Sequence, residues 1–393
     1  MSLPLSGIRV LDLTRFFVGP FCTQILADFG AEVIKIEDCK GGDPGRWAPP
    51  LIKDSSALFY TVNRNKKSIT LNLRTEQGRD IFRRLAKISD VVVEAFRPGV
   101  MEKMGLDYDE LAAINPRLIY CAISGYGHSG PLRERGGHDI NFLAMAGVTE
   151  LTASRDGKPA ISSAQIASGA GGAQNAVIAI LLALLNRQQT GKGQFCDISM
   201  VDGASSLLAY ALGEWSGSSQ LPERGRGMLS GGSACYNLYR TADDRYISVG
   251  AIEPKFWERF CSLIARPDLI PLQWDPKQQD WMIAELDIIF AQKSLQEWRQ
   301  LFDPEDICVS PVLNMEELSQ HPQMKAREMI HMFPSFKGTD KTMALTGTAV
   351  KLSATPGQPI FEFPDYGQHT TTIMKELGYD QQELEHLKDT GII

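Results

Sequence analysis

The chain has 393 residues, 43% of them hydrophobic and 22% charged, and a formal net charge of −7. At roughly 100–200 residues per domain this predicts two domains, or one large domain with an appendage, and it excludes a largely disordered chain, a collagen-like repeat and a small disulfide-stapled scaffold. The mild negative balance argues against bulk attraction to nucleic acid or an anionic membrane, while leaving room for a local basic groove that holds a small anion.

The first segment reads strand, helix, strand. Residues 8–13 form a short apolar strand, Gly19-Pro20 breaks the chain, 21–29 carry helical apolar spacing, and 31–37 form the second strand. A Gly- and Pro-rich loop occupies 41–50. Strands are expected at 68–73, 90–94 and 118–124, with a helix at 76–88. Strands alternating with helices imply βαβ crossovers and a parallel sheet. The chain then turns helical at 140–146 and 172–186, turns at 190–194, and forms a strand at 195–199. Residues 216–233 are rich in Gly, Ser and Arg and read as a connector. A second unit follows over about 234–306, with a strand at 246–249 and helices around Trp257 and Trp298. An extended piece restarts at 311–313, and the tail reads as helices 370–377 and 380–388. The expected class is α/β.

Seven cysteines, at positions 22, 39, 121, 196, 235, 261 and 308, form no CxxC pair and no Cys/His cluster with zinc spacing. Free, mostly buried thiols in a reducing compartment follow. Residues 1–7 lack the basic and apolar regions of a signal peptide. The longest apolar stretch, 176–185, is too short to span a bilayer. The expected location is cytoplasmic.

Gly125-Tyr126-Gly127-His128-Ser129-Gly130 matches GxGxxG and follows a strand, but Pro131 and a continuing loop follow where a dinucleotide fingerprint needs a helix. It reads better as a tight loop at the carboxyl end of a strand, with glycines that let the backbone approach a ligand. Basic residues gather at strand connections: Arg64, Lys66 and Lys67 before one strand, Arg97 after another, and Arg46 in the 41–50 loop. Converging on one edge they would suit a phosphate-rich ligand; solvated surface charge is the plain alternative. His138 opens a helix, where the macrodipole favours the neutral imidazole a general base needs; a capping or core histidine gives the same pattern. Glu253 ends a buried strand before Pro254, either as an ordinary first-turn charge or as a support for a catalytic histidine.

Several of these segments together resemble one family. Residues 11–15, 19–21 and 26–37, Gly42-Asp43, 63–68, 97–100, 123–127, 190–194, 197–200 and Asp202-Gly203 resemble the class III CoA-transferase (CaiB/BaiF) family over nearly the whole chain. Gly137-His138-Asp139-Ile140-Asn141 and 249–256 resemble its α-methylacyl-CoA racemase branch. By that resemblance His138, with Asp139 in its motif, moves the proton on the carbon next to a CoA thioester, and Glu253 supports it. Arg46, Arg64, Lys66, Lys67, Arg97, Gly125 and Tyr126 would hold the CoA, which is substrate rather than a covalent cofactor.

One position departs from the pattern. Ser168 stands where the family carries aspartate, the opposite-face acid/base of the racemases and the nucleophile of the transferases. A serine hydroxyl is a poor base near neutral pH without a partner to take its proton. Asp156 is near in sequence but reads as part of a turn, so it is not a substitute. CoA transfer between carboxylic acids, and a CoA-thioester binding protein that has lost catalysis by nature or by substitution, are the alternatives. The resemblance further implies a Rossmann-like large domain (1–215), a smaller α/β domain (225–325), a return segment (326–393), and a homodimer of interlocked subunits.

Overall fold

The computed structural model describes residues 2–155 and 157–393; Asp156 lies outside them. The first strands are β1 (Arg9–Asp12), β2 (Glu32–Glu37) and β3 (Lys66–Thr70), with helix α1 (Val18–Asp28) crossing from β1 to β2. Helix α2 (Glu76–Lys87) leads to β4 (Val91–Glu94), and α3 (Tyr108–Ile114) to β5 (Ile119–Ser124). Helix α4 (Asp139–Met145), a π-helical stretch Ala167–Gln174 and α5 (Asn175–Thr190) precede β6 (Phe195–Ser199) and α6 (Met200–Ser206). These six strands form one parallel sheet in the order β3-β2-β1-β4-β5-β6.

Strand alternation builds two cores. Leu11, Ile34, Ile69, Val92 and Tyr120 face α2, α3 and the tail helices α8 (Thr370–Glu376) and α9 (Gln381–Asp389). Val10, Val33, Val91, Val93, Cys121 and Ile198 face α1 and α5. The stretch Ala167–Thr190 is, by length and composition, apolar enough to cross a membrane. One side of it, with Ala176, Ile180 and Ala183, is buried in that core. The other side leaves Ile178, Leu182 and Leu185 more than half exposed.

The described residues divide into two compact units, one of 2–146, 162–207 and 319–393, the other of 147–155, 157–161 and 208–318. The second unit thus takes in 147–155 and 157–161, which the sequence reading leaves with the large domain, and residues 216–218 of the supposed connector are the end of the helix Ala209–Ser218. Its strands β7 (Tyr236–Arg240), β8 (Tyr246–Gly250) and β9 (Val309–Pro311) are antiparallel, and helix α7 (Pro254–Leu263) follows β8. Trp257, Phe260, Phe290, Trp298 and Phe302 stack into its core.

A fully buried charge network caps the carboxyl ends of β1 and β2. Asp12 accepts from Lys66 Nζ at 3.1 Å, from Thr23 Oγ1 at 2.7 Å and from the backbone of Thr14 at 2.9 Å. Burial opposes its charge, but Lys66, Lys35 and the two threonine hydroxyls outweigh burial and hold the carboxyl well below its usual range. Burial wins at Lys66, whose ammonium falls to about 8. Lys35 Nζ reaches Asp43 at 2.8 Å and the Thr14 carbonyl at 2.8 Å. Arg46 grips Glu37 with two bonds of 2.8 and 2.7 Å and lies 3.8 Å from the Phe59 ring centroid. Removing one partner of such a pair strands a buried charge. Arg46→Ala is expected to lower the unfolding free energy by about 3–5 kcal/mol in urea titrations. A loss under about 1 kcal/mol, the scale of a surface pair, would contradict this reading of the network.

Candidate active site

The order of the parallel strands locates the site. The chain runs from β1 outward to β2 and β3, then returns to place β4 on the other side of β1. A crevice opens outside the carboxyl ends where the direction reverses, and ligands of such sheets lodge there. Here a cavity of about 130 Å³ is lined by Leu13 and Arg15 after β1, Asp38 after β2, Arg74 after β3, and Phe96 and Val100 after β4. Arg15 lies 5.3 Å from the Phe96 ring centroid, and Arg74 pairs with Asp38 at 2.7 Å. The sequence reading missed Arg15, Arg74 and Phe96 as lining residues.

The network beneath shapes this edge. Asp43 accepts from Phe16 N at 3.0 Å and from Gly45 N at 2.8 Å, tying the β1–α1 turn to the 41–46 loop. Phe16 holds a left-handed φ of 61°, a conformation that costs a non-glycine residue on the order of 1–3 kcal/mol. Its ring is half exposed.

His138 is the N-cap of α4, in extended backbone, and its N–H donates to Asn141 Oδ1 at 3.0 Å. Two neighbouring glycines are required by packing. A Cβ on Gly125 would sit 2.4 Å from Phe142 Cε1, and one on Gly137 would sit 2.7 Å from the same atom. Phe142 of α4, edge-on to Tyr126 at 5.4 Å, thereby draws the 125–127 loop and the turn before His138 together. Gly127 and Gly130 take positive φ and no helix opens there, so the GxGxxG loop is not a dinucleotide turn.

Ser168 is the second residue of the π-helical stretch, a form that recurs at functional sites. Its N–H donates to Asp139 Oδ1 at 2.7 Å, so the turn carrying Ser168 is bonded to the residue beside His138. Asp139 is buried. His138, Asp139 and Ser168 therefore come together, with Gly125 and Tyr126 alongside. Glu253 is the N-cap of α7 and belongs to the second unit.

The basic residues do not gather as the sequence reading expects. Residues 63–67 enter the amino end of β3, whereas Arg97 follows the carboxyl end of β4; in a parallel sheet these are opposite edges. Arg64 is buried in a two-bond pair with Asp28, Lys66 is held by Asp12, Asn63 and the Pro20 carbonyl, and Lys67 pairs with Glu32. Arg46 is spent on Glu37. Arg46, Arg64 and Lys66 thus neutralise buried carboxylates, whereas Lys67 is partly exposed against a partly exposed Glu32. Arg97 differs: it is exposed, no ion pair holds it among the described residues, and its Nη2 would lie 2.8 Å from a Cβ on Gly136.

A second cleft, of about 330 Å³, lies beside this edge and includes Glu94, Arg97, Tyr108, Tyr120, His128 and Phe195. Burial pushes the Glu94 carboxyl up to about 8, with Glu102 adding to the effect and the Phe96 N–H opposing it. His128 Nε2 is 3.9 Å from Glu94 Oε1, and burial lowers its imidazole.

The comparisons agree with this architecture. The family model of CoA-transferase family III matches residues 5–370. The chain belongs to that family. It is 38% identical to alpha-methylacyl-CoA racemase of Homo sapiens over 395 residues, covering all of this chain and 98% of that one. It is 33% identical to succinyl-CoA:glutarate CoA-transferase of Mus musculus, covering 99% and 90%. A crystal structure of a CaiB/BaiF family protein from Brucella suis superposes with a TM-score of 0.82 at 31% identity, covering 96% of this chain and all of that one. The family thus joins racemases and transferases on one scaffold.

Glu94 sets a pH dependence. Its folded-state value lies above the ordinary 4.5, so its contribution is complete below about 4.5 and is lost as pH rises through about 8. Glu94→Gln is expected to flatten the fall of stability between pH 5 and pH 8.5 and to be more stable than the native protein at pH 8.5. Parallel stability–pH curves for the two would overturn this.

Proposed function

We propose that the protein binds an acyl-CoA thioester and exchanges the proton on the carbon next to its carbonyl, with His138 as the base. The observation that carries this is the Ser168–Asp139 bond. It joins the residue next to His138, at a helix start, to the turn where the family pattern places a carboxylate. The imidazole would take the α-proton, and backbone N–H groups at the helix start would stabilise the enolate oxygen. Arg97, exposed and without an ion pair among the described residues, supports a phosphate contact on the same edge. CoA transfer is the second reading, favoured by the transferases among the relatives. It needs a carboxylate nucleophile, and the nearest one, Asp139, is buried and already bonded to Ser168 N.

A homodimer belongs to the proposal, supported by the uncovered apolar side of α5, on which Ile178, Leu182 and Leu185 lie exposed. Glu253 keeps the supporting role that the resemblance gives it. A cytoplasmic location is proposed too, supported by seven cysteines that are all free.

With His138 as the single base, an optically pure 2-methylacyl-CoA in D2O should exchange its α-proton on one face without racemising. His138→Ala should slow that exchange by about 10²–10⁴-fold, the usual worth of a general base. Ser168→Asp should add racemisation. Proton NMR and chiral analysis read all three. Rapid racemisation by the native chain would contradict the one-base site, and exchange in neither the native chain nor Ser168→Asp would overturn the reading.

A further inference from the structure

We propose that the cleft beside Glu94 is a binding site for an organic primary ammonium compound, with Glu94, Tyr120 and His128 holding the ammonium head. The cleft shares no lining residue with the crevice between β1 and β4, and its ligand does not depend on what fills that crevice.

Three polar atoms of this cleft lack partners. Glu94 ends β4 with 2% of its surface exposed, and its Oε2 accepts from Phe96 N at 2.6 Å. Among the described residues Glu94 Oε1 accepts no hydrogen bond, and His128 Nε2, at 3.9 Å, is too far to give one. His128 Nε2 is itself buried and unpartnered. Tyr120 of β5 is 2% exposed, and among the described residues its hydroxyl is bonded to nothing. All three side chains line the cleft. They are also held in place. His128 N donates to both carboxylate oxygens of Asp197, at 3.1 and 3.0 Å, and the Tyr120 ring lies 5.8 Å from Phe195 and 6.4 Å from Tyr108 between centroids.

The missing partner is a cation. A buried carboxyl with no counter-charge keeps its proton, as the upward shift of Glu94 to about 8 shows. Burial, then Glu94, Asp107 and Glu102, raise the Tyr120 hydroxyl as well. Burial lowers the His128 imidazole against Asp197 and Glu102, with Arg133 adding to the fall; neutral, and with its proton on Nδ1, it accepts at Nε2. Around this floor the solvent-facing rim sets Glu102, Asp107 and Asp109 against Arg97 and Arg133, so negative charge prevails. An ammonium carries three donors and no acceptor, and the floor offers three acceptors. The 3.9 Å between His128 Nε2 and Glu94 Oε1 is spanned by one nitrogen bonded to both at about 2.9 Å. Among the described residues no three His, Cys, Asp or Glu side chains come together to hold a metal ion, so the fit is to an organic cation. The rings of Tyr108 and Phe195 line the cleft and attract an ammonium further through their faces. Binding moves the Glu94 proton to solvent and leaves a carboxylate against the ammonium.

The test titrates the native protein with benzylamine by calorimetry, in pairs of buffers that differ in ionisation enthalpy and without CoA. Saturable binding is expected, with a Kd on the order of 1 mM or below. Near neutral pH about one proton should leave per ligand bound, and affinity should rise about 15-fold from pH 6.5 to pH 8.0 as the Glu94 proton becomes easier to remove. Glu94→Gln should weaken binding by about tenfold or more and abolish both the proton release and the pH dependence. Tyr120→Phe, which removes one acceptor, should weaken it about fivefold. Benzyl alcohol, with the same shape and no charge, should bind at least about tenfold more weakly than benzylamine. Equal affinities for benzylamine and benzyl alcohol, or for the native chain and Glu94→Gln, would mean an apolar pocket and overturn the proposal. Benzoate binding more tightly than benzylamine, with proton uptake, would make this an anion site and overturn it too. So would the absence of saturable benzylamine binding at any pH tested.

Discussion

The site depends on one buried contact, the Lys66 ammonium against the Asp12 carboxylate at the end of β1. Both side chains are fully buried, so neither charge survives without the other. Asp12 also fixes Thr14 and Thr23, and Lys35 passes the same field to Asp43. Asp43 in turn holds Phe16 in its left-handed conformation. A central strand could have ended in an apolar residue. Ending it in a carboxylate pins the β1–α1 turn, which carries Arg15 into the crevice and Phe17 towards the turn of Ser168. Rigidity is what a site needs to orient a reacting carbon.

On that base the chemistry becomes asymmetric. In the proposed reading an imidazole at a helix start is the one base, and Ser168 stands where the resemblance leads one to expect a carboxylate. A two-base exchange needs proton acceptors on both faces of the carbon, and a transfer through an anhydride needs a carboxylate nucleophile. This chain supplies neither pair intact. The proposed chemistry is accordingly narrower than the family's: proton movement on one face of the carbon.

The sequence was most informative where chemistry is local. Short apolar runs marked the parallel strands to within a few residues, because a strand buried on both faces reads as a near-continuous apolar run. His138 and Ser168 could be singled out because each sits in a short motif. The fate of the basic residues was not, because a charge's role depends on what the fold packs against it. Arg64 and Arg97 look alike in sequence, yet one is buried against Asp28 and the other is exposed. Only the strand order shows that 63–67 and 97 stand at opposite edges. The crevice at Arg15, Arg74 and Phe96 is made of residues far apart in the chain, so no local pattern announces it. The upward shift of Glu94 arises from burial without a cation, which a linear reading cannot see.

The central claim is that the carboxyl edge of the sheet, between β1 and β4, presents a CoA thioester to His138 and Ser168. A crystal structure with a non-hydrolysable acyl-CoA thioether tests it most directly. The account predicts the nucleotide in the crevice by Arg15 and Phe96, a phosphate within reach of Arg97, and the carbon next to the carbonyl beside His138 Nε2 or Nδ1. A nucleotide bound at the amino edge, against Lys67 and His369, would contradict it.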